Sequence, residues 1–128
     1  MIQTIQKWFD KAEADLDSIE ILLPADKITT YGVICYLSQQ TAEKYIKGFL
    51  VFKGIEPPKV HDLKYLIAQC KPDLDTLKEN AELLNDYIVE SRYPMITPVE
   101  YVKERVQQAY EATKEIKHFI LEAIKNGE

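Results

Sequence analysis

The stretch SQQTAEKYIK, Ser38 to Lys47, places Gln39, Gln40, Glu43, Lys44 and Lys47 inside what otherwise reads as a buried helix. Tyr36, Gln40, Glu43 and Lys47 follow at steps of four, three and four, so they share one helix face. Gln40 and Lys44 stand one turn apart. Glu43 before Lys47 is the favourable order for an exposed i,i+4 pair, worth roughly 0.3–0.5 kcal/mol. A solvated ion pair is therefore the expected state of Lys47. Of Gln39 and Gln40, one must turn toward the interior, where its amide needs a partner. A second polar stretch, YIVESRYPM from Tyr87 to Met95, carries Arg92, which with Arg105 completes the arginines of the chain. At a helix end Arg92 would offset the macrodipole and bond the last carbonyls. Flanked by Ser91, Tyr93 and Pro94, it would equally serve as a bidentate clamp on a carboxylate or phosphate. His61, in KVHDL, stands beside Asp62, a natural helix cap, and reads first as structural. His118, in EIKHFI, reads as an ordinary helix residue.

Other chemistries lack their residues. The four glycines are isolated, so no phosphate loop is present, and HExxH, CxxC and GxSxG are absent. Cys35 and Cys70 sit in apolar settings and match no metal-ligand spacing; they read as buried free thiols. A net charge of -5 disfavours a general polyanion binder and argues against RNA as a partner, while leaving room for one local basic pocket. The N-terminus is amphipathic and acidic, unlike a signal peptide, and no run is long enough to span a membrane. The expected location is cytoplasmic. With 128 residues, 46% hydrophobic and 29% charged, the chain fits one folded domain over 1–128.

The elements that would position these residues are helices. Ile5, Trp8, Phe9, Ala12, Leu16, Ile19 and Leu23 recur at three- and four-residue steps, and Pro24 closes that helix. ADKITT is a connector. A second helix runs from about Thr30 to Lys53, with apolar positions on more than one stripe, and Gly54 ends it. GIEPPKVHD is a loop. A short helix follows from His61 or Asp62 to Cys70. A fourth, capped by Asp73 or Asp75, runs to about Arg92, before Pro94. TPVE offers Thr97 as cap, Pro98 at the first helical position and Glu100 at the third, a capping box that opens the last helix. Tyr101, Val102, Val106, Ala109, Ile116 and Ile120 then repeat inside it. The expected fold is all-α: an up-and-down antiparallel bundle of four main helices plus one short one.

Taken in order, the tryptophan and KAEADL of helix one, QQTAEKYIKGFL of helix two, HDL after a proline loop and YIVESRYP closing helix four resemble a HEPN domain. HEPN denotes the higher-eukaryote and prokaryote nucleotide-binding family. The resemblance spans about Trp8 to Ile120. It implies a helical bundle, homodimerisation, and pairing with a minimal nucleotidyltransferase in toxin–antitoxin fashion. Some members are metal-independent ribonucleases, marked by an arginine followed four to six residues later by a histidine. Here Arg92 is followed by Tyr93, Pro94, Met95, Ile96, Thr97, Pro98 and Val99, and the window after Arg105 also lacks a histidine. Without that imidazole, strand cleavage has no evident general acid or base at that site.

The reading is thus a non-catalytic HEPN module that binds a nucleotide or similar anion, pairs with a nucleotidyltransferase, or does both. Gln40, Glu43, Lys44, His61 and Arg92 are the candidate ligand contacts, and Tyr93 would stack on a base. No catalytic or metal-binding residue is assigned, and a nucleotide is the sole cofactor class implied. The first alternative is a pure interaction and dimerisation module. The second is a ribonuclease with a displaced acid–base residue, for which His61 is the available imidazole.

Overall fold

The computed structural model describes residues 2–88 and 101–127, with the backbone alone at residues 2 and 3. Among the described residues five α-helices carry the fold: α1 Ile2–Ala25, α2 Tyr31–Phe52, α3 Leu63–Ala68, α4 Lys78–Asn85 and α5 Lys103–Gly127. Single 3-10 turns at Ile28–Thr30 and Asp75–Leu77 lead into α2 and α4. No strand occurs among the described residues.

The broad apolar surface of α2 decides the architecture. Ile34, Cys35, Ala42, Tyr45, Ile46, Phe49 and Leu50 are all buried. They point in several directions around the helix, so α2 must be covered on more than one side. It packs along α1 and α5, and also touches α3 and α4. Pairings along α1 and α2 run in opposite senses, from Phe9 with Tyr45, ring centroids 5.0 Å apart, to Asp26 with Tyr31. The helices are antiparallel. Against α5 the sense is shared: Thr113 Oγ1 donates to the Ser38 carbonyl at 3.1 Å, and the Gly127 end reaches Phe52. Thus α2 and α5 run parallel, while α4 and α5 are antiparallel through Asn80–Glu115 and Tyr87–Arg105.

Gly48 sets how closely α1 approaches α2. A Cβ there would stand 2.5 Å from Phe9 Cε1, so the Phe9 ring occupies the space a side chain would need. Gly54, at φ +78°, supplies the left-handed residue that ends α2. Asp62 caps α3, accepting from the backbone N–H groups of Lys64 at 3.0 Å and Tyr65 at 3.3 Å.

Three expected boundaries move. Pro24 lies inside the last turn of α1 and the helix ends at Ala25. The fourth helix is shorter than its periodicity implies and has neither proposed cap: Asp73 pairs with Lys53 at 3.0 Å, and Asp75 lies within the preceding 3-10 turn. It stops at Asn85, whose side chain accepts from Leu63 N–H at 2.8 Å and donates to Asp62 at 2.9 Å. The backbone then tightens, with Tyr87 N–H bonded to the Leu84 carbonyl. The last helix begins at Lys103, so Tyr101 and Val102 precede it; the Val102 carbonyl receives the first bonds, from Arg105 and Val106. Thr97, Pro98 and Glu100 lie outside the described residues.

Candidate functional site

Helix α2 places its polar side chains on two sides, and the two sides are built differently. Toward α1, Lys44 pairs with Asp15, and the buried Tyr45 hydroxyl donates to Glu13. Lys117 of α5 reaches the same Glu13 at 2.8 Å. Burial pushes the Tyr45 hydroxyl far above its usual range, and its bond to Glu13 adds to that. Burial alone would raise the Glu13 pKa, but the bonds from Lys117 and Tyr45, with the Lys117 charge, together hold it below the ordinary value.

On the other side of α2, the loop from Ile55 to Asp62 returns His61 over Glu43. Glu43 is 4% exposed and Lys47 is 6% exposed. One Glu43 oxygen lies 3.0 Å from Lys47 Nζ; the other is 2.9 Å from His61 Nδ1 and 3.4 Å from Gln39 Nε2. Gln39, fully buried, also donates to the His61 carbonyl at 3.0 Å and accepts from Gln40 Nε2 at 2.7 Å. The inward glutamine is therefore Gln39, and Gln40 braces it from the rim. The Glu43–Lys47 pair is not the solvated pair its spacing suggests. The spacing of an i,i+4 pair is the same at a surface and beneath one; here His61 of the loop lies against Glu43, and the Trp8 ring of α1 lies 5.7 Å from Lys47 Nζ.

The chemistry of this edge follows from its donors. A carboxylate facing a lysine is an acceptor, so His61 Nδ1 carries the shared hydrogen. The imidazole is thereby fixed in orientation while its side chain stays 62% exposed. Nε2 is left for another molecule, as an acceptor when the ring is neutral and as a donor to an anion when it is charged. The cluster can thus hold an anionic group or carry a proton.

Of the six candidate contacts, Gln40, Glu43 and His61 come together. Lys44 stands on the α1 side with Asp15. Arg92 and Tyr93 lie outside the described residues. Other residues with structural or electrostatic weight were not among the candidate contacts. Gln39 and Lys47 complete the Glu43 shell. Arg105 is spent on the fold: its Nε donates to the Tyr87 hydroxyl at 3.1 Å, and its guanidinium stacks 5.1 Å from the Tyr87 ring and 5.8 Å from the Tyr101 ring. Burial raises the Tyr87 hydroxyl to about 12. Cys35 and Cys70 are buried free thiols, as expected, each pushed up to about 11 chiefly by burial. Among the described residues no group of histidine, cysteine and carboxylate side chains is placed to hold a metal, and no helix is long and apolar enough to cross a membrane.

Solved structures share this architecture. The chain is similar to TT1696 from Thermus thermophilus, with TM-score 0.81, 24% identity, and coverage of 93% of this chain and 97% of that one. It is also similar to ST0689, described as an archaeal HEPN homologue, with TM-score 0.74, 26% identity, and coverage of 94% and 97%. Among curated proteins no sequence matches. The HEPN domain family model matches residues 5–124, nearly the whole helical bundle, and the chain belongs to the HEPN domain family.

Proposed function

We propose that this chain is a non-catalytic HEPN module that binds a nucleotide or similar anion at the His61 edge of α2. The observation that carries the reading is the exposed His61 imidazole, fixed through Nδ1 by the buried Glu43 at 2.9 Å. A buried carboxylate locked by Lys47 and Gln39 costs desolvation that apolar residues would avoid. That cost is reasonable where it serves to orient a surface group. Phosphate is the anion class the edge fits, because the outward nitrogen of a charged imidazole donates to phosphate oxygens. Gln40 stands beside the same edge, and Arg92 and Tyr93 are further candidate contacts by sequence.

The test is thermal unfolding with ATP, GTP, their monophosphates and inorganic phosphate, on wild type and His61→Asn. A ligand at 100 times its dissociation constant adds about 2.7 kcal/mol, or roughly 10 °C in a domain this size. A shift in wild type that shrinks in His61→Asn supports the reading. A shift unchanged by the substitution removes His61 from it. A carboxylate-oriented imidazole also suits acid–base chemistry. Metal-independent RNA cleavage lost in His61→Asn would overturn the non-catalytic part.

Pairing with a second copy or a nucleotidyltransferase subunit is the companion reading. Its support is the exposure of Ile21 at 74%, Ile28 at 77% and Val33 at 44%, around the α1–α2 connection. Light scattering on wild type and Ile28→Asp, alone and coexpressed with the adjacent gene product, tests it. Monomers throughout would remove it.

A further inference from the structure

The two histidines of the chain, His61 and His118, sit in opposite settings. His118, on α5, is exposed and makes no hydrogen bond or ion pair among the described residues. His61 is exposed too, but it is held at both ends. Its Nδ1 donates to the buried Glu43 at 2.9 Å, and its carbonyl accepts from the buried Gln39 at 3.0 Å. Glu43 is itself fixed by Lys47 at 3.0 Å, and the next residue, Asp62, is tied to Asn85 at 2.9 Å. The neutral ring therefore has one tautomer and one orientation, with its hydrogen on Nδ1 and its lone pair on Nε2.

That lone pair is a nucleophile as well as a hydrogen-bond acceptor. When Nε2 gains a bond the ring becomes cationic, and the carboxylate at Nδ1–H favours that charge. Nδ1 itself is blocked by Glu43. An electrophile thus meets one reactive nitrogen at His61 and two at His118. The His61 edge fits phosphate, and the electrophile of the same shape is a phosphoryl group on a good leaving group. Lys59, exposed in the same loop and without an ion pair among the described residues, leaves a cation there for such an anion on a chain of net charge -5.

We propose that His61 Nε2 is a phosphoacceptor, modified by a phosphoramidate or acyl phosphate, and that the modified ring closes the anion edge. This rests on the anion-binding reading of the same edge. The imidazole supplies the electron pair of the new N–P bond. The donor's P–N or P–O bond breaks, and ammonia or the carboxylate leaves with that pair. The Nδ1 hydrogen stays on Glu43, and the ring takes the positive charge that the new bond creates. The added phosphoryl group fills the seat and repels a second anion by like charge.

The test incubates the full chain with phosphoramidate and, separately, with acetyl phosphate, and reads the product by intact mass, fragmentation and phosphorus NMR. One acid-labile phosphoryl group should form on His61 Nε2, at least about tenfold faster than on His118. The same chain unfolded in urea should lose that preference. Glu43→Gln should give both ring products at His61, and the urea comparison carries the test if that variant does not fold. Equal rates at the two histidines of the folded chain, or an Nδ1 product at His61 in wild type, overturn the inference. A thermal shift with phosphate or nucleotide but no phosphorylation of His61 also overturns it and leaves anion binding standing. Phosphorylation with no ligand shift in either form overturns the binding reading and, with it, the closing of the edge. A phosphorylated protein that keeps the full nucleotide shift overturns the closing alone.

Discussion

The two polar sides of α2 use similar residues to different ends. On the α1 side, Lys44 meets Asp15, and Tyr45 and Lys117 meet Glu13. These contacts run from helix to helix and tie α1 to α2 and α5. On the α3 side, Glu43 gathers Lys47, Gln39 and His61, and the network ends in an exposed imidazole. The first side closes on itself, and the second presents a nitrogen to solvent. A polar network that closes is explained by the fold. One that opens calls for a ligand, and that difference separates scaffold from candidate site.

The largest expected effect comes from breaking the open side at its base. Glu43→Ala leaves the buried Lys47 ammonium without its carboxylate and should cost about 3–5 kcal/mol, read as the drop in the urea midpoint. Loss below about 1 kcal/mol would mean that Lys47 escapes to water and that the pair is not a buried one. His61→Asn removes the exposed end only, so its stability should stay close to wild type while ligand response falls. A large stability loss in His61→Asn would erase the contrast between the two sides.

The closed side should respond as packing does. Gly48→Ala forces a Cβ into the Phe9 ring, and moving that ring should cost about 1–3 kcal/mol. Tyr45→Phe strips Glu13 of its buried donor and should cost about 1 kcal/mol. Lys44→Ala removes a partly exposed pair and should cost less than about 1 kcal/mol. None of the three should alter nucleotide response if that side is scaffold. Lost response in Lys44→Ala would move the anion contact to the α1 face.

The smallest effect is a pH dependence. The pKa of Glu13 is lower folded than its ordinary value of 4.5. Its contribution is therefore full above that value and is lost as pH falls through the folded one. The melting temperature should fall on acidification, and by less in Lys117→Ala, where a depressing partner is gone. An identical acid profile in both proteins would show that Lys117 does not hold Glu13 ionised.

Much of the fold was legible. The periodicity of Phe9, Ala12, Leu16 and Ile19 and the many-sided apolar surface of α2 dictate a helical bundle, and Gly54 and Asp62 mark its ends as their chemistry predicts. Less legible was anything set by chain segments distant in sequence. The spacing of Glu43 and Lys47 carries no information about the His61 loop and the Trp8 ring that lie against them. Gln39 and Gln40 are adjacent, and only the position of the His61 carbonyl chooses between them. Gly48 is unfavourable by helix propensity, and its reason, the Phe9 ring, lies on another helix. The shorter α4 goes with the side-chain bonds of Asn85 to Leu63 and Asp62, which local periodicity does not record.

The measurement that tests the central claim most directly is the thermal midpoint of wild type and His61→Asn with and without saturating nucleotide or phosphate. The account predicts a shift in wild type, a much smaller shift in the variant, and equal midpoints without ligand. Equal shifts in both proteins, or no shift in either, would contradict it and leave the His61 edge as structure alone.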